Sequence, residues 1–105
     1  MNRGSLPSRS QELKRRYVDA FRRASEILFS EDPIHINFGG NRDEYEPEVG
    51  TILPRLVACS SVDAVRQLVH EQFVRWFGPH TAGDEGSYER IAERLWTEVL
   101  PGLRG

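Results

Sequence analysis

Four stretches of the chain repeat apolar residues at the three-and-four spacing of an amphipathic helix, and one short stretch repeats them at every second position. In the first, Leu13, Tyr17, Ala20, Phe21, Ala24, Ile27 and Leu28 cover about a third of a helical circumference and predict one buried face. This helix begins near Ser8 or Ser10, where Ser8 and Gln11 have capping-box spacing. It ends at Asp32, because a residue before proline is pushed out of the α region. Ile34, Ile36 and Phe38 then alternate with His35 and Asn37, and no second strand exists to pair with them. The pattern predicts an extended strap packed along the helices, reversed by Gly39, Gly40 and Asn41.

The second helix is predicted to start at Asp43 as N-cap, with Glu46 at the capping-box position and Pro47 in the first turn. Its buried face is Tyr45, Val49, Ile52, Leu53, Leu56 and Val57, with a kink expected at Pro54, where Gly50 leaves the backbone room to bend. Ser60 or Ser61 caps a third helix, whose apolar face is Val62, Val65, Val69, Phe73, Trp76 and Phe77 and which Gly78 and Pro79 stop. The fourth spans about 87–100 with Tyr88, Ile91, Ala92, Leu95, Trp96 and Val99 inward, and Pro101 with Gly102 ends it. The expected fold is all-α: a small four-helix bundle with an extended strap between helices 1 and 2. Residues 1–9 read as a disordered arm, 10–101 as one helical domain and 102–105 as a tail.

Length and composition agree with a single domain. A chain of 105 residues with 38% apolar and 29% charged positions can bury one modest core, and it has no apolar run long enough to span a bilayer. The start carries no apolar segment of the secretory kind, so a cytoplasmic location is expected, and no membrane partner. Cys59 is the one cysteine, which rules out an internal disulfide and a cysteine-based metal site within one chain.

Charge is unevenly distributed. Residues 1–30 hold seven basic and three acidic side chains, whereas 31–50 hold one basic and six acidic. On the first helix Glu12 with Arg16 and Asp19 with Arg23 stand in the favourable i,i+4 order. The basic side chains Lys14, Arg15, Arg22 and Arg23, with Arg3 and Arg9, are also the set that would track a phosphate backbone. In the acidic stretch Asp43, Glu44, Glu46 and Glu48 crowd around Tyr45. Arg66 falls among apolar positions of the third helix and needs a carboxylate or carbonyl; the 43–48 cluster is the richest supply.

Catalysis requires an acid, base or nucleophile oriented by neighbours, and His35, His70, His80 and Cys59 stand in no such constellation. Asn37, Asn41, Asp43 and Glu48 lack the alternation and central glycine of a calcium loop, and there is no phosphate-binding glycine loop. The sequence therefore predicts no enzyme, no metal and no cofactor.

The spacing Asp32-Pro33-Ile34, then Asp43-Glu44-Tyr45 with Glu48, then Phe73-Val74-Arg75-Trp76-Phe77, resembles a group of small bacterial YugE-like proteins of uncharacterised function. The likeness covers roughly residues 13–100 and implies a compact helical domain without a known activity. In surface design, though not in sequence, the second helix is similar to that of helical immunity proteins that neutralise nuclease toxins.

The leading expectation is a non-enzymatic protein-interaction module. Asp43, Glu44, Tyr45, Glu46 and Glu48 would meet a basic protein partner with Tyr45 as aromatic anchor, unless those acids instead cap the helix and pair with Arg66 and helix 1. The alternative is a nucleic-acid-binding or regulatory protein using Lys14, Arg15, Arg22 and Arg23; an acidic isoelectric point weighs against it. Self-association through Val18, Phe29, Leu68 and Val74 is a third expectation, with monomer and homodimer both open.

Overall fold

The computed structural model describes residues 9–34 and 45–104, with side chains of the first helix from Arg15 onward. Among the described residues there are four helices and no strand, so the fold is the all-α bundle expected. Helix α1 is Arg9–Glu31, α2 is Glu46–Leu56 and α3 is Val62–Ala82. Helix α4 covers 85–104 as one continuous run: a 3-10 turn Glu85–Tyr88, an α segment Glu89–Arg94, a π turn Leu95–Val99 and a last α turn Leu100–Arg104. The expected arm lies outside the described residues apart from Arg9, which is already helical, as does the strap beyond Ile34.

The core forms where the apolar stripes of the four helices meet. Ala24, Ile27 and Leu28 from α1, Ile52, Leu53 and Leu56 from α2, Val65, Val69 and Phe73 from α3, and Ile91, Leu95 and Val99 from α4 are all buried. Phe73 sits at the aromatic centre, its ring centroid 5.9 Å from Tyr45, 5.6 Å from Phe77 and 5.3 Å from Tyr88. Such tilted ring pairs add to the area they bury. Burial pushes the Tyr88 phenol up to about 12, so it stays protonated and donates to the Ala82 carbonyl at 2.6 Å.

Helix ends follow the punctuation in the sequence, with two exceptions. Asp32 closes α1 in the left-handed region (φ 46°) with its amide on the Leu28 carbonyl, a conformation aspartate tolerates better than most residues. Ser61 caps α3, its hydroxyl accepting from the Ala64 amide. Gly78 breaks α3 at φ 85°, but Pro79 starts one further turn to Ala82. His70 Nε2, 2.8 Å from the Gly83 carbonyl, holds that turn against the body of α3 when it carries the ring proton.

The first exception is α2, whose N-cap is Tyr45 and not Asp43; the helix starts at Glu46 and makes no side-chain cap bond. It passes Pro54 as one element and stops at Leu56, which leaves Val57 exposed instead of buried. The second is α4, which runs through Pro101 and Gly102 to Arg104, so 102–104 is helix and not tail. Proline lacks an amide hydrogen, and its ring crowds the carbonyl four residues back. The π turn just before it moves bonding out to five residues, as in Leu100 N–H to Leu95 O, and the helix continues.

An ion-pair network fastens α4 to the end of α1. Glu31 Oε2 lies 3.2 Å from Arg90 and 3.1 Å from Arg94, Arg94 holds Glu98 at 3.0 Å, and Glu98 reaches Arg23 at 3.8 Å. Arg94 is the cation that joins the two shared carboxylates, Glu31 and Glu98, and it is only partly exposed. We expect Arg94→Ala to lower unfolding free energy by about 1 kcal/mol. Urea titrations at low and high salt test this: the deficit should shrink as salt screens the wild-type pairs, and a salt-independent deficit would mean packing alone.

Candidate functional site

The described side chains at the start of α1 lie outside the core. Arg15, Arg16, Tyr17, Val18 and Asp19 are all exposed, and burial begins only at Ala20. Tyr17, expected in the core, is therefore 40% exposed, and Val18 is 52% exposed. Helical spacing specifies which face is apolar; it does not specify whether a neighbour is present to cover it.

On this part of α1 a groove of about 340 Å³ is lined by Tyr17, Val18, Phe21, Arg22, Ser25 and Glu26, with Glu46 contributed by the first turn of α2. Tyr17 and Phe21, one turn apart, form its aromatic wall with centroids 6.3 Å apart. Ser25 is almost wholly buried, yet its Oγ has no hydrogen-bond partner. Glu26, which lies 3.4 Å from Arg23, and Arg22, which makes no ion pair with a described residue, put opposite charges on the rim. The arrangement offers apolar area with charge of both signs at its edge, and no reactive constellation.

The predicted acidic surface does not form one exposed patch. Tyr45 is fully buried, and its hydroxyl donates to Asp32 at 2.6 Å, so it cannot serve as a surface anchor. Glu48 is 4% exposed with Oε1 unpartnered, and burial raises its carboxyl above the ordinary range. Glu46 alone of the described acids faces solvent; Asp43 and Glu44 lie outside the described residues. The physical reason is helical spacing: Tyr45 falls on the same stripe as Val49 and Ile52 and packs on Phe73, and Glu48, one position before Val49, is carried inward beside it. Arg66 takes its carboxylates elsewhere, from Glu85 and Asp63, each at 3.0 Å.

Of the alternative basic set, Arg15 and Arg22 are exposed without a described partner, and the Lys14 side chain is outside the described residues. Arg23 is bound by Glu26 and Glu98 in place of the predicted Asp19. A second groove, between α1 and α4, mixes Arg16, Arg22 and Arg23 with Asp19, Glu26 and Glu98, so its arginines are offset by acids. Of the predicted self-association residues, Val18 is exposed, whereas Phe29, Leu68 and Val74 are half-buried.

Cys59 is buried, which raises its thiol pKa against the opposing field of Arg104 and leaves it a poor nucleophile. Among the described residues no group of three or more His, Cys, Asp or Glu side chains could hold a metal ion, and no helix is long and apolar enough to cross a membrane. No protein-family model, curated protein or solved structure matches the chain. Trp76 was expected inward but is 45% exposed, because its indole N–H reaches across to Thr51 on α2 at 3.1 Å.

Proposed function

We propose that the protein is a non-enzymatic protein-interaction module whose docking element is the groove on α1. One observation carries this reading: Tyr17 and Val18 stand exposed beside Phe21 on a length of helix whose residues 15–19 are all exposed. A groove of this kind suits an amphipathic helix laid along it, with apolar side chains inward. Glu26 and Glu46 favour a cation on that helix, which keeps one member of the predicted acidic surface in use, and Arg22 favours an anion beside it. Tyrosine supplies large contact area at low entropic cost, so Tyr17 is the expected hot spot.

A photo-reactive phenylalanine analogue at Val18, compared with one at exposed Glu93 on α4, tests the reading in cells producing the chain. Discrete cross-linked adducts are expected at Val18 and absent at Glu93. Tyr17→Ala should abolish them by weakening binding about thirtyfold, equivalent to about 2 kcal/mol. Equal adducts from both positions, or none from Val18, would end the proposal.

A further inference from the structure

We infer that the helix received by this groove is α1 of a second copy of the chain, laid antiparallel. The inference rests on the interaction reading above and adds the identity of the partner. Its basis is a stripe of charge beside the apolar wall. Positions 15, 19, 22 and 26 follow one another at intervals of four, three and four residues, so they occupy one side of α1. They are Arg15, Asp19, Arg22 and Glu26, with signs plus, minus, plus, minus.

Read backwards, that order is its own complement. Turned end for end about a twofold axis between Ala20 and Phe21, Arg15 faces Glu26 of the second copy and Asp19 faces Arg22. The symmetry repeats both pairs, so four opposite-charge pairs flank the seam. A parallel arrangement in the same register would set every charge against its like. Twofold interfaces require one patch to be complementary to itself, and this stripe has that property in the antiparallel direction only.

The structure leaves these groups available. Among the described residues Arg15, Asp19 and Arg22 make no ion pair, although Arg15 with Asp19 and Arg22 with Glu26 are each one turn apart, and Glu26 has the 3.4 Å contact with Arg23 alone. The same rotation brings Tyr17 of one copy level with Ala24 of the other, one position from the unpartnered Ser25 Oγ in the groove wall. A partner unrelated in sequence would need to reproduce this alternation, whereas a second copy supplies it automatically.

The test uses the full chain and two charge variants. Arg15→Glu with Arg22→Glu makes the stripe uniformly acidic, and Asp19→Arg with Glu26→Arg makes it uniformly basic. Light scattering after size-exclusion chromatography and sedimentation equilibrium are run at low salt, with circular dichroism confirming helicity. The wild type is expected to be a dimer. Each variant alone should associate more than about tenfold more weakly. An equimolar mixture of the two should recover the dimer, and added salt should weaken it.

Wild-type chain that is monomeric at about 100 µM would overturn the inference, as would variants that dimerise unchanged or a mixture that fails to recover. Should either variant lose helicity, Val18→Glu replaces it, and a dimer surviving that substitution overturns the inference equally. Failure here is separable from failure of the interaction reading. A monomer whose Val18 analogue still cross-links specifically to other proteins keeps that reading and removes the second copy, whereas loss of both removes both.

Discussion

Replacing Phe73 with alanine should lower unfolding free energy by about 3–5 kcal/mol, the usual cost of emptying a large aromatic site in a core. The side chain is fully buried and touches Tyr45, Phe77 and Tyr88, so three other rings lose a packing surface together. A domain of this size has a total stability of about 5–15 kcal/mol, which makes the expected loss a large part of the whole. Phe73→Leu keeps most of the volume and should cost much less. Urea denaturation followed by circular dichroism separates the two. An alanine variant within about 1 kcal/mol of wild type would mean that Phe73 is not the centre of the core.

The second large effect has the opposite sign. Glu48 is buried, Oε1 has no hydrogen-bond partner, and desolvation raises its carboxyl above the ordinary 4.5 despite an opposing bond from its own backbone amide. A carboxyl with a raised pKa resists ionisation in the folded state. The stability it allows is fully present below the ordinary value and is lost as pH rises through the raised one. Proximity to the α2 N-terminus recovers about 0.3–1 kcal/mol for the anion, less than the cost of about 1–3 kcal/mol for burying an unsatisfied polar group. Glu48→Met should therefore be more stable than wild type by about 1–2 kcal/mol at pH 7, with the gain fading below about pH 4. Thermal melts at both pH values check it; a variant less stable at pH 7 would mean that the carboxylate is better solvated than its burial implies.

What the sequence made legible was periodicity. Val65, Val69 and Phe73 on α3, and Ile91, Leu95 and Val99 on α4, are buried as their spacing required, because each faces helices on more than one side. Tyr17 shares the α1 period and is exposed, since a period fixes a direction and not the length of the neighbour lying in that direction. The acidic cluster failed for a different reason. Tyr45 shares the apolar stripe of Val49 and Ile52, so the residue expected as surface anchor is one that the helical period turns inward, and capping residues alone did not place the N-cap, which is Tyr45 and not Asp43. The partner of Arg66 was misplaced because Glu85 is 19 residues away, on a turn whose position depends on the break at Gly78. The groove had no signature of its own: Tyr17, Val18 and Phe21 read as ordinary helix until the surrounding elements are in place.

The π turn of α4 has a bearing on how this chain tolerates changes in length. It holds one residue more than an α turn, which shifts everything after it by about 100° around the axis. With that shift Leu100 is buried, while the Arg104 guanidinium donates to the carbonyls of Val57 and Cys59 and lies 5.6 Å over the Trp96 ring. The closing turn is thus a latch whose aim is set upstream. Removing Thr97, an exposed residue of the π turn, would give a more regular helix and swing Arg104 away from the α2–α3 connection, although no residue of the latch itself had changed.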